Sequence, residues 1–175
     1  MRSSANGGPA LTARVLVAGI GNLFCRDDGF GPEVVRRLLA TGSLPEHVRA
    51  VDYGIRGMHL AYDLLEGYDA LVLVDAVPGS VEPGEVNVLE VGEKHLGTGD
   101  FDPHGMAPVA MLASLKDLGG ELPTTYVVGC RPADVSEGIG LSEQVEAAVP
   151  GAIATIDTLL RERIQGLTAS EQEVR

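Results

Sequence analysis

The sequence predicts a three-layer α/β/α sandwich around a mostly parallel, twisted sheet of about five strands with one antiparallel edge strand. Short apolar runs alternate along the chain with segments of helical periodicity, the pattern of βα units around a parallel sheet. The strongest runs are apolar throughout rather than alternating, as strands covered on both faces are. The 175 residues include 23 glycines, against a typical usage of about 7%, and that surplus suits tight turns and close backbone approaches. A single domain of this length buries roughly two-thirds of the surface its unfolded chain exposes. No disulfide is required to hold it.

The elements follow in order. Residues 1–12 begin with the small, polar MRSSANGGPA and are expected as a flexible N-terminal tail. Residues 14–21 (RVLVAGIG) form an apolar run closed by glycines, which predicts a central strand. After a loop at 22–28, residues 29–40 place Phe30, Val34, Leu38 and Leu39 at helical spacing, and Pro32 is tolerated in the first turn. A second strand is predicted at 48–53 and a short amphipathic helix at 57–65, with Met58, Ala61 and Leu65 as its apolar face. ALVLVDAV at 70–77 is the most strand-like run in the chain, ended by Pro78-Gly79. EVNVLEV at 85–91 alternates polar and apolar, predicting the antiparallel edge strand. Helix, strand and helix then recur at 106–118, 125–130 and 141–164. The whole reads as one α/β domain over 13–165, followed by a polar tail at 166–175 (GLTASEQEVR).

Charge and cysteine content exclude several functions. With 25 acidic and 13 basic side chains the net charge is −12, which argues against a nucleic-acid surface. Cys25 and Cys130 are the only cysteines. They cannot build a disulfide framework or a four-thiolate zinc site, so a reducing, cytoplasmic setting is expected. The apolar run at 15–20 is far shorter than the roughly 20 residues of a spanning helix, so no membrane segment is expected. Signatures of serine hydrolases, zincins, P-loops and Cys-x-x-Cys redox proteins are missing. Gly19-Ile20-Gly21 starts a dinucleotide fingerprint, but Phe24 stands where its third glycine belongs.

Ligands of parallel α/β sheets bind at the carboxyl ends of strands, and acids gather there in the sequence. The Asp27-Asp28 pair follows the first strand, Asp52 ends the second and Asp75 ends the third, while His104 lies in the glycine-rich stretch GTGDFDPHG at 97–105. Two carboxylates and an imidazole form an O/O/N set suited to Zn, Ni, Fe or Mn, with positions open for water or substrate. The same groups without a metal can act as general acids and bases. A blander reading has Asp27 or Asp28 capping the following helix. Asp75 resists such a reading, because a carboxylate after LVLV needs a partner. His59 and Asp63, four apart on one helix, read as a solvated face, and His47 and His95 as surface residues. Cys25, beside Arg26, reads as a loop residue and Cys130 as strand-end packing.

Gly19-Ile20-Gly21-Asn22, followed by Asp27-Asp28-Gly29-Phe30-Gly31 and Val34-Val35, resembles the N-terminal signature of the nickel–iron hydrogenase maturation proteases. The resemblance continues through Asp52-Tyr53-Gly54, Gly57-Met58, Val74-Asp75-Ala76, Pro103-His104 and Gly138-Ile139-Gly140-Leu141-Ser142 with Val145-Glu146. These blocks, in this order, span about residues 14–160. The resemblance implies metal-binding positions at Asp28, Asp75 and His104 on a phosphorylase/hydrolase-like sandwich; the same three are expected to be catalytic, and Asp27 and Asp52, from their places at the strand ends, are the secondary proton-transfer candidates. It implies an endopeptidase that removes a C-terminal peptide from the hydrogenase large-subunit precursor after nickel insertion. The nickel is then supplied by the substrate, and no organic cofactor is implied. Ile55-Arg56 departs from the family's usual Thr and small residue, so Arg56 is expected to tune substrate choice. Two other readings stand beside this one: a nickel-dependent binding or checkpoint protein that docks on the large subunit without cutting it, and a nucleotide-binding α/β protein.

Overall fold

The computed structural model of the chain describes residues 12–79, 81–92 and 112–164. The expected tails at 1–12 and 166–175 lie almost wholly outside the described residues, as do His95, His104 and the start of the helix expected at 106–118.

Five strands form one sheet: β1 (Val15–Ile20), β2 (Val48–Gly54), β3 (Ala70–Ala76), β4 (Val86–Val91) and β5 (Thr124–Cys130). Their order is β2-β1-β3-β5-β4, with β4 antiparallel to β5 and every other pairing parallel. The expected antiparallel edge strand is therefore β4. Its alternation does not become a buried and an exposed face, however, since Val88 and Leu89 are both exposed.

β1, and β3 up to Val74, are apolar because both of their faces are covered. Val15, Val17, Val72 and Val74 pack with α1 (Phe30–Ala40) and α3 (Glu143–Thr158). Leu16, Ala18, Leu71 and Leu73 face the other way, toward Leu60 and Leu64 of α2 (Gly57–Leu64) and toward Leu112 and Leu115. The period of two thus sorts one strand between two cores.

Two details differ from expectation. The buried stripe of α2 is Leu60, Ala61 and Leu64, while Met58 and Leu65 are exposed. Residues 60, 61 and 64 share the side turned to the sheet, and Met58 and Leu65 lie round the helix beyond that arc. The helix expected at 141–164 is capped by Ser142, whose hydroxyl accepts from the Val145 amide, runs to Thr158 and closes in a π-helical segment, Leu159–Ile164.

α1 approaches the sheet at close range. A Cβ on Gly31 would stand 2.2 Å from the Val74 carbonyl oxygen, and one on Gly19 would stand 2.6 Å from the Gly31 carbonyl oxygen. Only glycine fits these positions, and the first turn of α1 consequently rests on the end of β3.

Candidate active site

Strand order places β1 between β2 and β3, so the chain adds its second and third strands on opposite sides of the first. The crevice beyond the carboxyl ends of strands at such a reversal is where parallel sheets bind ligands. Asp28 follows β1 and Asp75 lies near the end of β3, one residue past Val74, the register partner of Gly19.

The loop between β1 and α1 contains a single 3₁₀ turn, Arg26–Gly29. Neither aspartate in it caps α1, whose N-cap is Gly29 without a side-chain bond. Instead, the two adjacent carboxylates serve different partners. Asp28 Oδ2 accepts the Asn22 amide at 2.8 Å, closing the loop on itself. A Cβ on Gly21, at φ 141°, would collide with the Asp28 carbonyl oxygen, so glycine is required where the chain turns back.

Asp27 is completely buried and fully engaged. Its Oδ2 accepts the amides of Ala133 at 2.8 Å and Asp134 at 2.9 Å and the Ser142 hydroxyl at 2.9 Å, while Oδ1 accepts the Ser142 amide at 2.6 Å. Burial alone would raise its pKa, but the donors from Ser142, Asp134 and Ala133 outweigh it and hold the carboxyl below its ordinary range. This aspartate ties the first loop to the loop leading into α3. Arg26 reinforces the tie: its amide donates to the Gly138 carbonyl and its guanidinium pairs with Asp134 at 3.3 Å. Among the described residues Arg26 is the one non-glycine with positive φ, 46°, a conformation held in place by these contacts.

Asp75 is 8% exposed. Burial drives its pKa well above the ordinary value, the charge of Asp28 adds to the rise, and the Ala76 amide offsets only part of it. Asp28 therefore stands near enough to Asp75 for its charge to act on it. Asp52 stands apart from this pair. β1 separates its strand from β3, a backbone distance of two strand spacings or about 9.5 Å. Its Oδ1 accepts the Gly54 amide at 2.8 Å. Arg56 donates to the Tyr53 and Asp52 carbonyls at 3.2 and 2.9 Å, closing off the end of β2. Among the described residues no three His, Cys, Asp or Glu side chains gather into a metal site. The third expected ligand, His104, lies outside them.

The remaining candidates resolve as bystanders. Asp63 accepts the Tyr53 hydroxyl at 2.6 Å and pairs with Arg49, and His59 is exposed. His47 is half-buried, and its carbonyl accepts the Val15 amide. Cys130 is buried in the core, its thiol pushed up to about 11 chiefly by burial. Cys25 is half-buried. The residue that sequence reasoning missed is Ser142, which caps α3 and binds Asp27 at once. A serine just before an apolar-periodic segment signals the cap, but nothing local signals a partner 115 residues away.

Comparison with known proteins identifies the family. The family model described as hydrogenase maturation protease matches residues 32–158. The hydrogenase 2 maturation protease of Escherichia coli is 32% identical over 152 residues, covering 85% of this chain and 92% of its own. Coenzyme F420 hydrogenase subunit delta of Methanothermobacter thermautotrophicus is 32% identical over 151 residues, covering 82% and 92%. The solved structure of the hydrogenase maturating endopeptidase HybD from Escherichia coli superposes with a TM-score of 0.71 at 29% identity, over 85% of this chain and 93% of that one. In sequence and in fold, the chain belongs to the hydrogenase maturation protease family.

Proposed function

We propose that the protein is an endopeptidase that removes a C-terminal peptide from the nickel-loaded large-subunit precursor of a nickel–iron hydrogenase. The observation that carries this reading is the Asp28–Asp75 pair at the sheet reversal, with Asp75 buried against a like charge. Two carboxylates so placed are costly alone and are relieved by a divalent cation between them. His104 supplies the third donor, and the O/O/N set suits nickel.

The nickel arrives with the substrate and marks it as ready for cutting. Bound by Asp28, Asp75 and His104, it places the scissile peptide against the sheet edge, where a metal polarises a carbonyl or activates water. Asp52, on the other flank of β1, is the secondary proton-transfer candidate. The hydrogen bonds that occupy Asp27 suit it to holding the loop rather than to moving protons. Arg56, bound to the β2 carbonyls, acts on substrate choice by shaping the strand end. No described helix is long and apolar enough to cross a membrane, and we assign the reaction to the cytoplasm, where two free thiols persist.

The test is the intact mass of purified nickel-loaded precursor before and after incubation with the protein. Loss of a C-terminal peptide is expected with the natural chain and none with His104→Ala. Processing by His104→Ala at the natural rate overturns the ligand assignment, and binding without any loss of mass favours the checkpoint reading.

A further inference from the structure

Twelve large apolar side chains are exposed among the described residues, and six of them stand at one end of the molecule. Leu23 and Phe24 follow β1, Ile55 and Met58 follow β2, and Val135 and Ile139 follow β5. All three strands are parallel, so the loops after them, and the first turn of α2 that carries Met58, rise from the same edge of the sheet as Asp28 and Asp75. The most exposed are Ile139 at 79%, Ile55 at 78% and Phe24 at 69%. Apolar side chains gathered in this way on a soluble domain mark a surface that another molecule covers.

The loops that present them are stitched together. The Gly138 amide donates to the Phe24 carbonyl at 2.8 Å, and the Arg26 amide donates to the Gly138 carbonyl at 3.0 Å, a parallel bridge between Cys25 and Gly138 that fastens the loop of Phe24 to the loop of Ile139. The Gly21 amide donates to the Gly54 carbonyl, joining the first loop to the one that carries Ile55. Asn22 couples this rim to the acids. Its Oδ1 accepts the Phe24 amide at 3.0 Å, while its own amide donates to Asp28. An apolar anchor held in place before binding loses little entropy on association, which is the property of interface hot spots.

We propose that Leu23, Phe24, Ile55, Met58, Val135 and Ile139 form the docking surface for an apolar patch on the folded body of the protein substrate, beside the segment to be cut. This rests on the protease reading above. A scissile segment that reaches Asp28 must pass the tip of the loop that bears both Asp28 and Phe24, so the rim and the acids meet the same polypeptide. Arg26 and Arg56, the basic groups on the loops that carry Phe24 and Ile55, are engaged with Asp134 and with the β2 carbonyls, so these loops offer a partner apolar rather than cationic contacts.

The test combines processing kinetics and direct binding, using nickel-loaded precursor with Phe24→Ser, Ile139→Ser and the distant edge-strand control Val88→Ser. Each rim variant is expected to raise KM and the precursor Kd tenfold or more, leaving kcat within twofold and Tm unchanged. Val88→Ser should change none of these by more than twofold. Unchanged KM and Kd in both rim variants overturn the proposal, as does a fall in kcat at constant KM. If the natural chain binds precursor without shortening it, the protease reading fails while the Kd comparison still decides the rim. If it neither binds nor cuts, both fail. A rim variant that converts a self-associated protein to monomer in sedimentation, with precursor Kd unmoved, makes a second copy the occupant and overturns the assignment.

Discussion

The loop junction at Asp27 and the strand end at Asp75 both withdraw a carboxylate from water, and they do so to opposite effect. At the junction, three backbone amides and a hydroxyl converge on Asp27 and hold it ionised. At the strand end, Asp75 meets a single amide and the like charge of Asp28, and its pKa rises. Burial is common to both, and the count of donors decides the sign. A saturated acid is a fastener, whereas an undersatisfied acid beside a second carboxylate is the kind of group the reading proposed above assigns to the cation.

The sharpest way to break this contrast is to neutralise Asp75. Asp75→Asn keeps the shape and removes the charge, so processing of nickel-loaded precursor should fall about a thousandfold or more as several kcal/mol of charge stabilisation is lost. Its Tm should hold or rise by a few degrees, because a buried charge has been removed. Mass spectrometry of the precursor and a thermal melt check the two halves, and a variant that still processes at the natural rate makes Asp75 structural.

Removing Asp27 should do the reverse. Asp27→Ala strands four buried donors, and a loss of about 3 kcal/mol is expected in urea unfolding. Processing should fall less steeply than in Asp75→Asn and recover partly in Asp27→Asn, which keeps an acceptor. Undiminished stability would mean that the tie between the loops is idle.

The smallest effect, on the order of 1 kcal/mol, is the pH dependence of metal-free protein. For Asp27 the unfolded chain binds its proton more tightly, so this group's stabilisation is complete above the ordinary value of 3.8 and lost as pH falls through the lower folded value. For Asp75 the folded chain binds the proton more tightly, so stability declines as pH rises above 3.8 toward the higher folded value. Melts across pH ~3 to ~8 should show the acid rise flattened in Asp27→Asn and the later decline flattened in Asp75→Asn. Identical profiles for the two variants would erase the distinction.

How far this was legible in sequence depends on the range of the interactions. β1 and β3 announce themselves because strands buried on both faces have no polar positions to interrupt the run. Asp75 stands out for the same reason, as an acid at the end of such a run. The different roles of Asp27 and Asp28 do not show, since adjacent residues share every local signal and are separated only by what folds against them. The buried stripe of α2 was misjudged because Met58 and Leu65 are apolar yet stand beyond the arc that meets the sheet. The exposure of Phe24 and Ile139 is likewise invisible, because an apolar residue in a loop reads as a candidate for the core.

The bond between Asp27 and Ser142 also governs timing. It joins residues 115 positions apart, and contacts of that span form late because the intervening chain must first be closed into a loop. A ribosome-bound chain that has not yet released Ser142 carries Asp27 with none of the donors from 133, 134 and 142 to hold it. The loop bearing Asp28 and Phe24 is tied early to Gly54 through Gly21, but its ties through Asp27 and Arg26 form only after β5 and the start of α3 have emerged. A nascent or truncated chain that ends before Ser142 therefore carries the β1–β3 edge without the long-range fastening of its first loop.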